Sequence, residues 1–556
     1  MFTTDQFKDL FSLLRQEFTT NQSALNQLDS AVGDGDHGYT IHRAMRAAES
    51  AASGSFQDLG KTFDAVAEAM AEQAGGAIGP LLAALFAEGG IVFAGKTRAG
   101  LDDFKEFLAG GLQAVKEIGG AQPGDKTLVD ALEPAAAALE SGSYPSLEAA
   151  LQAAAEAARQ GAESTREMTA ARGRASFSPQ RSLGHLDPGA TSLAIILEAM
   201  ADFLGGARAS TAAQEEAGEF TPPPGKLVNH PDLMVQQDNQ GLAACYPDLV
   251  RLSPQGILLR AREKKAGRTA LVIGHGGGHT PSMGGFVGPG LLDGDVYGPI
   301  FTCASGVAIS RAIAAADRGG GVVLLISNHA GDVLNARLAL RRSRAEGTAV
   351  EPVYLGDDIA TAPREMLQDR RGLGGLLFAL KIGGAAAEEG KGLEEVAALM
   401  RKTNQRTATL SVAVKPPTHP ATGQPLFEIP PGEIEIGTGV HGEVGVYRGP
   451  QLAADQIVDL LLDRLLEDLD EFLPGRLLLF INGSGGTSQM ELHILYRRAF
   501  EQIKARGLES AAGVVGSFFT TLEMGGFSLS LCALDWEMES YWELPASSPA
   551  FRWPFI

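Results

Sequence analysis

Cysteine is scarce in this sequence, and its few positions form no pattern. The three cysteines, Cys245, Cys303 and Cys532, are far apart and odd in number, so neither a disulfide framework nor a cysteine-based zinc site is expected. Their small number fits a reducing compartment, and we expect the protein to be cytoplasmic. Long apolar runs are also missing. No stretch approaches the roughly 18 residues of a membrane span, and the N-terminal MFTTDQFKDL lacks the apolar core of a signal peptide, so we expect no membrane attachment.

Positive charge is in deficit as well. The chain carries 46 Lys and Arg residues against 67 Asp and Glu residues, which gives a formal net charge of -21. Because proteins bind nucleic acid chiefly by neutralising its phosphates with Lys and Arg, we expect no nucleic-acid partner. The same charge does not oppose a small phosphorylated ligand, since a bound metal ion and local backbone amides outweigh a distant acidic surface.

The length and composition are those of a multidomain globular protein. A chain of 556 residues exceeds what one hydrophobic core usually supports, and 44% hydrophobic with 20% charged residues argues against disorder. Up to about residue 204 the sequence is rich in Ala, Leu, Glu and Gln at helical spacing, as in LEAALQAAAEAARQGAES. This pattern predicts an all-helical bundle or barrel, in which glycine-containing loops would gather at one end.

The composition and the hydrophobic pattern of the chain change after the helical part. Residues 206–225 are small, acidic and proline-bearing, which predicts a linker. Beyond it, short β-branched runs such as RTALVIGHGGGH and GVVLLISNHAGD alternate with helical patterns, which indicates an α/β fold. We predict an all-helical domain at 1–205 and an α/β region with two sub-lobes, at 226–405 and 406–556.

Three aspartates in the run LDSAVGDGDHG are candidate metal ligands. Asp29, Asp34 and Asp36 lie at offsets that no straight helix would bring onto one face, so they belong on a folded loop. Crowded carboxylates repel unless a cation compensates, and hard oxygen ligands suit magnesium. The helix that begins after the loop would present N-terminal amides to an anion. The alternative is an acidic surface turn, but the flanking glycines and His37 favour a magnesium site that holds nucleotide phosphates.

Three further fragments of the helical part are weak evidence of function singly and stronger evidence together. QPGDKT, GRASFSPQRS and HLDPGATS follow the aspartate run, and their order and spacing resemble the nucleotide-binding domain of the dihydroxyacetone kinase family over residues 7–204. The resemblance implies ATP as phosphoryl donor and two magnesium ions. The nucleotide-binding positions that it implies are His37, Gly38, Thr40, Gly75, Gly76, Gly124, Thr127, Arg174, Asp187, Pro188 and Gly189.

The second half resembles the ketone-binding domain of the same family. GHGGGHTPSMGGFVG, SNHAGDVLN, IGTGVHGEVGVYR, INGSGGTSQMEL and TTLEMGGFSLSL match it in order and spacing. In that family a histidine of the HGE run, here His441, holds the ketone as a hemiaminal, and the GH and GD motifs correspond to His279 and Asp332. The substrate-binding positions implied are Gly276, Gly277, Gly278, His279, Ser327, Asp332 and His441. We also expect a homodimer.

The chemistry of these three residues makes sense without the family. A neutral imidazole is a competent nucleophile toward a ketone, so His441 would select ketones and fix the hydroxyl for transfer. Asp332 would accept the hydroxyl proton as the oxygen attacks the γ-phosphate. His279 would donate a hydrogen bond to the developing alkoxide or to the hemiaminal oxygen.

The run HGGGH invites two other interpretations, and both are set aside. Two histidines four residues apart suggest a zinc pair, but a glycine loop lacks the helical geometry of such a site. The run could also pass for a dinucleotide-binding loop, but GxGxxG is incomplete and no acidic ribose partner stands at the usual distance.

Several positions depart from the common family pattern. Ser327 stands where lysine is usual, Thr280 replaces a glutamate, and the run 303–305 (Cys-Ala-Ser) replaces a serine-proline run. The expected substrate is a short-chain ketose, dihydroxyacetone or a related triose or tetrulose such as erythrulose. Losing a lysine beside the pocket removes a positive donor to substrate hydroxyls, which favours a ketose other than dihydroxyacetone, such as a tetrulose. In the helical domain, Thr40 stands where asparagine is common and Ile78 replaces a serine.

We therefore expect a kinase that phosphorylates a short-chain ketose, and two other functions stay open. One is a lyase that cyclises flavin-adenine dinucleotide at the same metal site, an activity associated with some members of the family. The other is a catalytically silent ketose sensor, which the departures at Ser327, Thr280 and Ile78 suggest. Because one chain carries both domains, the resemblance implies ATP rather than a separate phosphocarrier protein as donor.

Overall fold

The computed structural model describes residues 2–30, 35–177, 179–206, 221–421 and 423–554. The chain divides into two compact units, Met1–Glu219 and Phe220–Ile556. Most of the predicted linker, 206–225, lies outside the described residues, as does Asp34. Within the described ranges, no helix combines the length and the apolar character that crossing a membrane requires.

The first unit is helical, which confirms the prediction of an all-α domain. Its two short strands, β1 (Phe2–Thr3) and β2 (Arg98–Ala99), pair antiparallel. The helices are α1 (Thr4–Ser30), α2 (His37–Ala52), α3 (Leu59–Gln73), α4 (Ile78–Val92), α5 (Leu101–Gly119), α6 (Val129–Ser141), α7 (Leu147–Ser164), α8 (Pro179–Ser182) and α9 (Pro188–Leu204).

Amphipathic spacing explains how these helices pack. In α7, Ser146 caps the N-terminus by accepting the backbone N–H of Ala149, and the buried side chains Leu151, Ala154 and Ala158 follow at helical intervals. The core is one cluster of buried residues. Phenylalanines from α1, α3, α4 and α5 meet within it at ring-centroid distances of aromatic contact, including Phe63 against Phe107 at 5.3 Å.

The second unit contains two six-stranded sheets, which confirms the α/β prediction. The first sheet has the order β3-β4-β6-β5-β7-β8, in which β6, β5, β7 and β8 are mutually parallel. Its strands are β3 (Val250–Leu252), β4 (Ile257–Arg260), β5 (Ala270–Gly277), β6 (Gly294–Ile300), β7 (Val322–Ile326) and β8 (Val350–Tyr354). The buried runs ALVIGHGG and VVLLI explain why β5 and β7 occupy the middle of the sheet.

The second sheet has the order β11-β10-β9-β14-β12-β13 and is antiparallel apart from the parallel pair β12 and β13. Its strands are β9 (Thr407–Lys415), β10 (Glu433–Ile436), β11 (Tyr447–Pro450), β12 (Arg476–Gly483), β13 (Glu509–Gly516) and β14 (Gly525–Leu534), and a short pair, β15 (Ala546–Ser547) and β16 (Arg552–Trp553), follows near the end of the described residues.

The helices of this unit lie between and after the strands. They are α10 (Met234–Cys245), α11 (Gly306–Ala316), α12 (Ala330–Ala345), α13 (Leu376–Glu389), α14 (Leu393–Gln405), α15 (Ala454–Asp468), α16 (Gln489–Ala505) and α17 (Trp536–Trp542). One buried cluster joins the two sheets: it contains Ile273 of β5, Phe480 of β12 and Phe378 of α13. The predicted sub-lobe boundary at residue 405 falls between α14 and β9, inside this single compact unit.

Candidate active site

His279 follows β5 in a glycine-containing loop, where the backbone turns away from the sheet. Its Nδ1 lies 2.7 Å from the carbonyl oxygen of Thr520 and its Nε2 lies 3.2 Å from Nε2 of His441. Because a carbonyl only accepts, Nδ1 of His279 carries the proton in that contact. Burial lowers the pKa of His279 well below its usual value and the neighbouring His441 lowers it further. His279 is therefore a neutral imidazole whose Nε2 accepts a hydrogen bond.

His441 lies in the loop between β10 and β11, and Glu443 orients it. Oε2 of Glu443 accepts the backbone N–H of His441 at 2.9 Å, and Oε1 lies 3.1 Å from its Nδ1. Burial acts to raise the pKa of Glu443, but the charge and hydrogen bond of His441 and the charge of Arg371 hold that pKa well below its usual value. Since a carboxylate only accepts, Nδ1 of His441 is the donor.

Because His279 is neutral and its Nε2 accepts, the proton between the two imidazoles belongs to Nε2 of His441. With each Nδ1 donating outward, a hydrogen bond between the two Nε2 atoms requires a proton on one of them. The pair His279–His441 then carries a single positive charge, and the buried carboxylate of Glu443 balances it. Moving the proton to His279 leaves a lone pair on Nε2 of His441, which is the state of a nucleophile.

Asp332 lies in the first turn of α12, whose N-terminal capping residue is His329. Its side chain is buried and belongs to the wall of the same cavity. The N-terminus of a helix stabilises a negative charge, so this position favours the carboxylate form. A carboxylate facing a cavity beside two histidines has the chemistry of a general base.

A cavity of about 60 Å³ connects these residues. At roughly 10–15 Å³ for each water, it has room for several waters. Gly276, His279, Ser327, Asp332 and His441 contribute to its wall, whereas the predicted Gly277 and Gly278 do not. Gly278 instead has φ +94, a conformation that glycine adopts without strain. The remaining lining residues are Ile273, His275, Ser282, Met283, His329, Gly372, Leu373, Leu376, Val440 and Phe519.

Sequence reasoning missed two residues that the structure places in this group. His329 stands in the quoted run SNHAGD, and its Nδ1 lies 3.7 Å from Oε1 of Glu443. Glu443 stands in the quoted HGE run and contacts both His441 and His329. Both belong to motifs that carried the prediction, but only their neighbours were selected. Arg371, buried behind Glu443 at 3.7 Å, lies outside every motif.

The departures at Thr280 and in the run 303–305 have ordinary hydrogen-bond partners. Thr280 donates its hydroxyl to Asp238 at 2.7 Å. Cys303 is buried and accepts a hydrogen bond from Nδ2 of Asn335, and Ser305 caps α11 by accepting the N–H of Ala308.

In the helical unit, the predicted metal loop is described in part. Oδ2 of Asp29 accepts the backbone N–H groups of Asp36 and His37 at 3.0 and 3.3 Å, and Asp36 is the N-terminal capping residue of α2. Nε2 of His37 lies 2.8 Å from Oγ of Ser192, which ties α2 to α9. Burial lowers the pKa of His37, against the raising effect of Asp29. Asp34 lies outside the described residues, so the three-aspartate site stays a prediction.

Asp187 gives the best test of whether a cation fits here. It caps α9 by accepting the N–H of Ala190 at 2.6 Å. Burial raises its pKa to about 7, and the negative charges of Asp130 and Asp29 contribute to the rise. Carboxylates that repel one another in a buried place are what a hard divalent cation with oxygen ligands stabilises, so these residues fit magnesium.

Lys126 and Asp130 hold the loop between α5 and α6 and were not predicted. Nζ of Lys126 lies 2.6–3.1 Å from the carbonyl oxygens of Thr165, Met168, Ser182 and His185, which share its three N–H donors. Asp130 accepts the backbone N–H groups of the predicted Gly124 and Thr127, at 2.6 and 2.7 Å. These bonds bring the QPGDKT, GRASFSPQRS and HLDPGATS runs together.

The remaining predicted nucleotide positions lie at helix starts and turns. Thr40 is in the first turn of α2, and a side chain at Gly38 would collide with the carbonyl oxygen of Gln22 at 2.1 Å, so close packing of α1 on α2 needs a glycine. The turn between α3 and α4 contains Gly75 and Gly76, and Ile78 begins α4. Pro188 is the first residue of α9 and Gly189 the second, and Arg174 begins the short 3-10 helix Arg174–Phe177.

Comparison with known proteins matches both units. The Dak1 domain matches residues 240–550 and the DAK2 domain matches residues 31–202. The chain belongs to the dihydroxyacetone kinase family. Within this family the chain has the DAK2 domain first and the Dak1 domain second, as the sequence predicted.

Several relatives within the dihydroxyacetone kinase family are named enzymes. The chain is 38% identical over 330 residues to L-erythrulose kinase of Pectobacterium atrosepticum, which covers 59% of this chain and 56% of that protein. It is 36% identical over 339 residues to triokinase/FMN cyclase of Homo sapiens, covering 60% of this chain and 58% of that protein. The matches thus span less than two thirds of the length of these two relatives.

A solved structure of the family shares the fold. The dihydroxyacetone kinase of C. freundii, in complex with AMP-PNP and Mg2+, is 31% identical, with a TM-score of 0.54 over 59% of this chain and 60% of that chain. The nucleotide analogue and the metal in that crystal belong to that protein.

Proposed function

We propose that this chain is an ATP- and magnesium-dependent kinase that phosphorylates a hydroxyl group of a short-chain ketose held covalently on His441. The observation that carries the proposal is the contact of 3.2 Å between Nε2 of His279 and Nε2 of His441, beside the buried carboxylate of Glu443. The names of the relatives support a triose or tetrulose as substrate.

The covalent step balances with the groups present. The proton on Nε2 of His441 moves to His279, and that Nε2 attacks the carbonyl carbon, so that a C–N bond forms and the carbonyl π electrons go to oxygen. His279 then gives its proton to that oxygen, which completes the hemiaminal. The alkylated His441 keeps its proton on Nδ1 and remains cationic, and Glu443 balances that charge throughout.

The transfer step needs a base and a positioned phosphate. Asp332, in the cavity wall, accepts the proton of the ketose hydroxyl as its oxygen attacks the γ-phosphate. Asp29, Asp34 and Asp36 would hold two magnesium ions, with Asp187 beside them. Magnesium bound there neutralises the charge on the phosphates of ATP. We further propose that the protein is a homodimer, which analytical ultracentrifugation tests, and that it is cytoplasmic, as its scarce cysteines suggest, which cell fractionation tests.

The test is a coupled assay of ADP release with purified protein. We expect ATP consumption that requires magnesium together with dihydroxyacetone, D-erythrulose, L-erythrulose or glyceraldehyde. Mass spectrometry of protein trapped with a ketose should show an adduct that disappears in His441→Ala. If the protein consumes ATP with none of these four sugars, the proposal is wrong.

A second candidate is cyclisation of flavin-adenine dinucleotide at the same metal loop, which the name of the human relative, triokinase/FMN cyclase, favours. Its readout is release of a cyclic flavin phosphate from that dinucleotide in the absence of any ketose. A ketose adduct that forms without ATP consumption would instead indicate the silent sensor.

A further inference from the structure

Three buried side chains in the second unit have the composition of a metal site. His329, His441 and Glu443 are only 4%, 7% and 5% exposed, and their donor atoms all lie within 4.8 Å of one another. Within the described part of the chain, this is the one group of three or more His, Cys, Asp or Glu side chains with that spacing. It is distinct from the aspartate loop of the helical unit.

The spacing of the donors suits a tetrahedral ion. Bonds of about 2.0–2.1 Å to a tetrahedral zinc ion place neighbouring donor atoms about 3.3 Å apart. Oε1 of Glu443 lies 3.1 Å from Nδ1 of His441 and 3.7 Å from Nδ1 of His329, on either side of that value, and the donor atoms of the two histidines lie within 4.8 Å of each other. Two imidazoles and one carboxylate form a donor set of catalytic zinc sites, whereas magnesium prefers oxygen ligands throughout.

The outer nitrogens of both imidazoles have acceptors, as metal-binding histidines usually do. Nε2 of His329 lies 3.3 Å from the carbonyl oxygen of Gly372. Nε2 of His441 faces Nε2 of His279, which is an acceptor because Nδ1 of His279 donates to the carbonyl of Thr520. Both histidines can therefore present Nδ1 to an ion while Nε2 donates a proton outward.

The charges around the group leave room for a cation. Arg371 lies 2.7 Å from Asp358 and 3.7 Å from Glu443, so one guanidinium serves two buried carboxylates. Arg371 carries one charge and the two carboxylates carry two, so a second positive charge next to Oε1 would balance Glu443. Without a metal, the protonated His441 supplies that charge.

We infer that His329, His441 and Glu443 bind one divalent transition-metal cation of the zinc type, and that the cation and the ketose exclude each other. Binding displaces the proton from Nδ1 of His441 to solvent and leaves the proton on its Nε2. A protonated Nε2 has no lone pair for the carbonyl carbon, so covalent capture stops. The metal site does not depend on the proposed function. The mutual exclusion of cation and ketose rests on it.

The site can be tested without any assay of activity. Full-length protein lacking a histidine tag is treated with a chelator, saturated with magnesium to occupy oxygen-ligand sites, and titrated with Co²⁺. We expect one equivalent of Co²⁺ to produce the strong visible absorption of a four-coordinate site with nitrogen ligands, and Zn²⁺ to displace it. His329→Ala and Glu443→Gln should each weaken Zn²⁺ binding by more than the roughly 10- to 100-fold that loss of an outer partner costs. His493→Ala, at an exposed position, should leave it unchanged.

The possible outcomes separate this inference from the proposed kinase. Only weak absorption of six-coordinate Co²⁺, or four-coordinate absorption that survives in a folded variant, would overturn the metal site, whether or not the protein consumes ATP. Circular dichroism decides which variant is folded, and either one suffices. If the site binds Zn²⁺ but the ketose adduct forms equally with and without it, the exclusion is wrong and the site stands. If the protein has no kinase activity in a buffer that contains magnesium but no transition metal, the proposed function is wrong and the metal site is unaffected.

Discussion

Glu443 holds His441 at two points, with Oε2 on its backbone N–H at 2.9 Å and Oε1 on its ring Nδ1 at 3.1 Å. The carboxylate thus sets both the ring orientation and the charge that the ring tolerates. In Glu443→Gln the amide oxygen still accepts from Nδ1, but it no longer balances an imidazolium. We expect kcat/KM for the ketose to fall about 10²- to 10⁴-fold, in line with the loss of an orienting carboxylate behind a catalytic histidine.

The measurement is the ADP-coupled assay with adduct mass spectrometry at several ketose concentrations. Glu389→Gln, at an exposed position on α13, is the matched control. Equal adduct yields in Glu443→Gln and wild-type protein would contradict the role given to Glu443.

Asp332→Asn should separate capture from transfer. Because Asp332 is proposed to act on the hydroxyl and not on the carbonyl, the ketose adduct should persist while kcat falls about 10²- to 10⁴-fold, the usual contribution of a general base. Intact-protein mass spectrometry and ADP release, run on the same sample, check both halves. Loss of the adduct together with activity would mean that Asp332 shapes the cavity rather than accepting the proton.

Lys126→Met should destabilise the helical unit. The substitution keeps the length of the side chain but removes the donor for four backbone carbonyls, and unpaired buried acceptors cost about 1–3 kcal/mol each. We expect a loss of at least about 2 kcal/mol, read as an earlier unfolding transition on heating, together with weaker binding of an ATP analogue. Lys61→Met, whose lysine side chain is 68% exposed, should change neither. An unaltered transition in Lys126→Met would show that water replaces the ammonium group without cost.

Lys381 should make the stability of the second unit depend on pH. It is buried in α13, donates to the carbonyls of Tyr541 and Trp542 at 3.0 Å, and burial lowers its pKa to about 7. Unfolded lysine keeps its proton up to about pH 10.4, so between about pH 7 and 10 the unfolded chain binds more protons and the contribution of Lys381 to stability rises with pH.

The comparison is urea unfolding of wild-type protein and Lys381→Met at pH 7 and pH 9. Wild-type protein should gain stability relative to the variant as the pH rises, because the cost of burying a charged lysine fades. Lys265→Met, at an exposed position, should follow wild-type protein. A difference between wild type and Lys381→Met that stays constant with pH would contradict the lowered pKa.

Local patterns in the sequence predicted the two fold classes and the order of the domains. Helical spacing in the Ala-rich part and β-branched runs in the rest are properties of neighbouring residues, so they can be read without tertiary contacts. His279, Asp332 and His441 were selected because the runs around them resemble the ketone-binding domain of the dihydroxyacetone kinase family. The structure brings them to one cavity.

What the sequence did not predict depends on distance along the chain. His279 and His441 are 162 positions apart, and no local pattern shows that their Nε2 atoms meet. The roles of Glu443 and His329 become visible only in the structure, where both face the imidazole of His441. The role of Lys126 becomes visible only when carbonyl groups 39 to 59 residues away converge on its ammonium group. The predicted Gly277 ends β5 and the predicted Gly278 has φ +94, and neither contributes to the wall of the cavity.

The single core that joins Ile273, Phe378 and Phe480 has a consequence for inactivation. One sheet supplies His279 and the other supplies His441, so a slip of one sheet against the other by a fraction of an ångström breaks their contact before any strand melts. On gradual heating, ketose capture should vanish while the circular dichroism of the strands and helices is still intact. Loss of ketose capture would then report a shift between the two sheets earlier than any loss of secondary structure does.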